Sequence, residues 1–89
     1  HPTSFETSLT IGDRGELNVV LMTNSEFELS VSVLLNESAI FENTITVSDA
    51  YRETVRYEPS EPGTHSITVQ FENGGDLIDT RYLKVFVHE

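Results

Sequence analysis

The sequence predicts an all-β fold, a seven-stranded antiparallel β-sandwich, and three observations carry that reading. Apolar and polar residues alternate with a period of two along most of the chain. No stretch shows convincing helical periodicity. Turn-forming clusters recur at roughly 8 to 12 residue spacing, as in all-β sandwiches.

The first expected strand covers residues 4–11 (SFETSLTI), with Phe5, Leu9 and Ile11 turned inward. Gly12-Asp13-Arg14-Gly15 is a turn, because glycine accepts the positive φ that tight corners need. Residues 16–23 follow as a strongly apolar strand, and Asn24-Ser25-Glu26 is the next corner. The cleanest alternation places Phe27, Leu29, Val31, Val33 and Leu35 on one face, against Glu28, Ser30, Ser32 and Leu34 on the other. Asn36-Glu37-Ser38 turns the chain into residues 39–47, where Phe41, Ile45 and Val47 share a face.

After the corner Ser48-Asp49-Ala50, residues 51–57 alternate Tyr51, Val55 and Tyr57 with Arg52, Thr54 and Arg56. The connection Glu58-Pro59-Ser60-Glu61-Pro62-Gly63 cannot lie within a central strand, since each proline lacks a ladder donor. Beyond it, His65, Ile67, Val69 and Phe71 alternate with Ser66, Thr68, Gln70 and Glu72. Asn73-Gly74-Gly75-Asp76 is the strongest hairpin signal in the chain. The last strand, residues 77–87, has two apolar faces: Leu83, Val85 and Val87 on one, and Ile78, Tyr82 and Phe86 on the other.

That second face needs an explanation, because a sandwich strand buries one face in its own core. Val20, Met22 and Leu34 are likewise out of phase. Two readings stand. A β-bulge near Thr80 would switch which residues point inward, and this suits Ile78. An interaction surface, for a protein partner or a homo-oligomer, suits Tyr82 and Phe86.

Composition narrows the function. The 89 residues fit one domain, 1–89, with one modest core. Fifteen acids face five bases, Lys84 being the one lysine, and the formal net charge is −10. Nucleic acid and anionic membrane surfaces require basic patches, so neither is an expected partner. High salt screens the self-repulsion of such an acidic, lysine-poor surface, which suits a halophile; on charge alone an ordinary acidic domain with good solubility fits equally well. The absence of cysteine removes thiolate nucleophiles, zinc–sulfur sites and blue-copper ligation, and leaves stability to the apolar core. No stretch approaches the roughly 18 apolar residues of a membrane span.

The stretch from Glu28 to Val87 resembles the immunoglobulin-like domains of archaeal and bacterial cell-surface and secreted proteins, including the CARDB-type adhesion-related modules. The residues that carry the likeness are a strand hairpin (ELSVSVLLNESAIFENTITV), an outgoing strand (YRETVRYEP), the Pro62-Gly63-Thr64 corner with its strand (PGTHSITVQFENGG) and a final apolar strand (YLKVFV). His65 stands where such domains often carry an aromatic residue. The resemblance implies an immunoglobulin-like sandwich acting as a non-catalytic spacer, adhesion or assembly module at the cell surface or outside the cell. Such a module can belong to a longer membrane-anchored protein or to a surface filament.

Candidate chemistry is sparse, and neither an enzyme nor a bound cofactor is expected. A serine triad needs a histidine to activate the hydroxyl and an acid to orient it, and only His65 lies within the body of the fold. Asp13, Glu16, Asp49, Asp76 and Asp79 fall in or beside turns, where carboxylates can hold calcium or simply satisfy local backbone donors. His1 resembles the N-terminal copper ligand of small periplasmic copper carriers and copper polysaccharide oxygenases. Their second histidine near the final hairpin is missing here, so His65 or His88 would have to replace it. Asn36-Glu37-Ser38 is an N-glycosylation sequon, a triplet expected about once by chance among five asparagines and 19 serines and threonines.

Overall fold

The computed structural model describes residues 4–89, with side chains from residue 9 onward. Seven strands follow one another: β1 (Ser4–Thr10), β2 (Gly15–Met22), β3 (Phe27–Leu35), β4 (Ser38–Val47), β5 (Ala50–Tyr57), β6 (Gly63–Asn73) and β7 (Asp76–His88). They form an immunoglobulin-like sandwich with very unequal layers. The large sheet has five strands in the order β1-β7-β6-β3-β4, and the small sheet has two, β2-β5.

One pairing departs from the antiparallel expectation. β1 runs parallel to β7, from Ser4 opposite Tyr82 to Thr10 opposite His88. Every other ladder is antiparallel. The parallel pair arises because the chain enters at one edge of the large sheet and leaves along its neighbour in the same direction. Ile11, expected inward, is exposed just beyond the end of β1, where its N–H donates to the His88 carbonyl. The side chain of Phe5 lies outside the described set.

The alternation of β3 and β6 builds the core. Leu29, Val31 and Val33 are fully or almost fully buried, as are Ile67 and Val85. Val47, Val69, Phe71 and Val87 complete the inner face of the large sheet, while Val19, Tyr51, Val55 and Tyr57 descend from the small sheet. Burial pushes both the Tyr51 and Tyr57 phenols up from the usual tyrosine range. At Tyr51 the nearby Asn43 amide opposes that shift and the Glu53 charge adds to it. The buried Tyr51 Oη makes no well-formed hydrogen bond among the described residues.

Two tight hairpins fix the register of the large sheet. Asn36 and Glu37, at φ 49° and 71°, join β3 to β4, and Gly74 and Gly75, at φ 59° and 94°, join β6 to β7. Two-residue turns with positive φ at both centres match the right-handed twist of the flanking strands. Each hairpin then carries a bulge. Val33 faces Phe41 but Leu34 faces Ala39, which leaves Ile40 as the extra residue. In the same way Phe71 faces Asp79 while Glu72 faces Leu77, so Ile78 is extra. The second bulge thus sits two residues before the expected position at Thr80, and it does reverse the facing of β7.

Gly15 lies directly opposite Tyr57 in the β2–β5 ladder, against its ring. A Cβ at this position would overlap the ring of the buried Tyr57. The ring is buried, so Gly15→Ala should lower stability by about 1–3 kcal/mol, the usual cost of overpacking. Urea unfolding measures this, and an unchanged midpoint would show that the Tyr57 ring is not held where the fold places it.

Candidate interaction surfaces

The apolar residues that looked out of phase along the chain occupy three separate places. Tyr82 and Phe86 point to the outer face of the large sheet, Tyr82 being 47% exposed and Phe86 half-buried. Register places Tyr82 in a row that crosses all five strands through Ser4, Tyr82, Thr68, Leu34 and Ala39. The adjacent outer rows carry charge: Lys84 aligns with Glu6 and Ser66 on one side, and Ser32 with Glu42 on the other. One row further out Phe86 faces Thr64 and Ser8, and Ser30 Oγ lies 3.1 Å from Thr44 Oγ1. Ile78 is exposed because it bulges, and Leu77 beside it is more exposed still. Val20 and Met22 lie on the opposite side of the molecule, on the outer face of the small sheet.

Between the layers there is also a cleft. It has a volume of about 560 Å3 and runs between β2 and the inner face of β6 and β7. Leu17, Val19 and Leu21 form one wall, and Val69, Phe71 and Leu83 the other. Asp79 and Arg81 share the inner side of β7 with Leu83, Val85 and Val87, since they pair with Phe71 and Val69. They nevertheless remain partly exposed, with side-chain accessibilities of 38% and 52%. Charges on a core-facing row stay solvated only where nothing covers them. Arg81 Nε donates to Asp79 Oδ2 at 2.9 Å, and Asp79 Oδ1 accepts from the Thr80 N–H.

The candidate metal ligands do not converge. Among the described residues, no group of three or more histidine, aspartate or glutamate side chains is placed to hold an ion. Asp13 Oδ2 instead accepts the Thr10 N–H within its turn. Asp76 opens β7 and Asp49 precedes β5. Glu16 pairs with Arg56 on the outer face of the small sheet. His1 lies outside the described residues, and His88 is exposed at the end of β7.

His65 and Asn36 form a structural clasp that sequence spacing could not reveal. The Ser66 N–H donates to Asn36 Oδ1 at 3.0 Å, and Asn36 Nδ2 lies 2.7 Å from His65 Nδ1. On the other side of the ring, His65 Nε2 lies 2.8 Å from the Glu61 carbonyl. A consistent donor order runs through all three contacts if Nε2 carries the proton and Nδ1 accepts. The clasp ties the β3–β4 turn to the start of β6 and to the proline-rich connection. It also engages Nδ2, the atom to which an N-linked sugar would attach.

A search of solved structures finds the fold in the CARDB domain of a Pyrococcus furiosus protein, crystallised in complex with di-metal ions. The two share 16% sequence identity and superpose with a TM-score of 0.71, covering 92% of this chain and 86% of that one. No family model matches this chain. No curated protein matches it either. The chain has the CARDB-type fold, and no helix among the described residues is long and apolar enough to cross a membrane.

Proposed function

We propose that this domain is a non-catalytic interaction or structural module of a cell-surface or secreted protein from a high-salt environment. The observation that carries the reading is the outer face of the large sheet. There Tyr82 stands about half exposed in a row with Ser4, Thr68, Leu34 and Ala39, none of them charged, with Phe86 one pleat repeat beyond Lys84. An exposed aromatic ring on a sheet face supplies contact area at little entropic cost, and such residues are enriched at interfaces. The CARDB-type fold and its likeness to surface modules support the extracellular setting. The acidic, lysine-poor composition supports the salt.

In this reading the aromatic face meets a second copy of the domain. Molar salt screens repulsion between two chains of charge −10 and leaves the apolar contact intact. Sedimentation velocity should therefore show self-association that strengthens from low to molar salt. The double substitution Tyr82→Ser with Phe86→Ser should reduce it at least tenfold. A strict monomer at high protein concentration in molar salt would overturn the self-contact. The surface setting has its own test: antibody labelling of intact producing cells should reach the domain, and labelling only after lysis would contradict it.

A further inference from the structure

The edge of β2 offers a second and independent feature. Thr23 N–H donates to the Asp49 carbonyl at 2.8 Å, one step beyond the Met22–Ala50 pair of the β2–β5 ladder. Peptide groups alternate in direction along a strand, so the odd-numbered residues of β2 face β5. Glu16, Asn18, Val20 and Met22 therefore direct their N–H and C=O groups away from it. Among the described residues no strand takes them up, because β1 pairs with β7 instead.

Exposed sheet edges are normally protected by charges, bulges or proline. β4 has its bulge at Ile40, and β5 carries Arg52, Glu53 and Arg56. β2 has no bulge or proline, and beyond Glu16 at its start residues 17–25 (LNVVLMTNS) contain no charged residue in a chain of net charge −10. Beneath this free edge lies the apolar cleft. β5 lies on the β4 side of the large sheet, so β2 sits over β6 and β7, and β1 reaches further out. The large sheet thus forms a shelf extending beyond β2. The shelf gives an added strand a floor. It obstructs a second copy paired antiparallel through β2, whose own β1 and β7 would occupy the same layer.

We propose that β2 accepts an extended strand from another polypeptide, which extends the small sheet to three strands and closes the cleft. The inference deepens the interaction reading above and rests on it, but it concerns a different surface. The occupant alternates apolar residues, which would rest against Leu17, Leu21 and Leu83, with uncharged hydroxylic ones. An acidic strand would meet the repulsion of the whole domain. A neutral strand matches the uncharged edge, and its recognition through backbone hydrogen bonds and apolar burial survives molar salt.

The probe is a soluble peptide, KTVSVTVSK, with KTSVVSTVK as a control of equal composition and broken alternation. Titration followed by amide NMR should shift Asn18, Val20 and Met22 most and slow their hydrogen exchange at least tenfold. Val20→Pro removes one outward N–H without touching the ladder to β5, and proline is tolerated at such edge positions. It should weaken binding at least tenfold, and Asn18→Pro provides the same test should the first variant fail to fold. Equal binding by the control peptide or by a folded proline variant would overturn the proposal. Protection of the same amides that rises with protein concentration alone would also overturn it, because a second copy would then hold the edge. Loss of the aromatic self-contact with peptide binding retained would sink the proposed function's interface and leave this site standing.

Discussion

The inner faces of β3 and β6 set the terms for the rest of the molecule. Leu29, Val31 and Val33 meet Ile67, Val69 and Phe71 in one continuous apolar layer, with Val85 alongside. No cysteine is available to reinforce it. Burial of these side chains must therefore offset the chain entropy lost on folding, at roughly 1.5–3 kcal/mol for each large side chain fully removed from water. A layer of this kind cannot tolerate a shift of one residue, because such a slip would turn every apolar side chain outward. The two positive-φ hairpins and the Asn36–His65 clasp hold that register from both ends of the sheet.

Five strands against two is the second constraint, and it follows from where β1 goes. With β1 beside β7, the small sheet covers only part of the inner surface of the large one. Val85 and Val87 are buried, while Asp79 and Arg81 on the same row remain partly exposed. The cleft, the open edge of β2 and the solvated ion pair are three consequences of this one imbalance. The outer aromatic face has a different origin: it belongs to the β7 strand itself, which places Tyr82 and Phe86 on the side away from the core.

Much of this was legible in the chain. The alternation of residues 27–35 and 65–72 identified both central strands and their buried faces, and Asn73 to Asp76 marked the hairpin between β6 and β7. The bulge at Ile78 was legible as a conflict, because its strand had two apolar rows and one core. Its exact place was not, since a bulge depends on which residue of the partner strand each residue faces. The bulge at Ile40 left no such conflict and passed unnoticed. Pairing between distant segments leaves no local trace. For that reason the parallel partnership of β1 with β7, the exposure of Ile11 and the vacant edge of β2 emerged only from the fold. Val20 and Met22 were visibly out of phase, but nothing in their spacing placed them away from Tyr82 and Phe86.

Native-state hydrogen exchange on β2 tests the account most directly. If β5 takes up only the odd-numbered residues, the amides of Leu17, Val19 and Leu21 should exchange slowly. Those of Asn18, Val20 and Met22 should exchange at least a hundredfold faster, while the amides of β3 and β6 remain the slowest of all. Uniform protection along β2 in a dilute, unliganded domain would contradict the account, because the edge would already be paired.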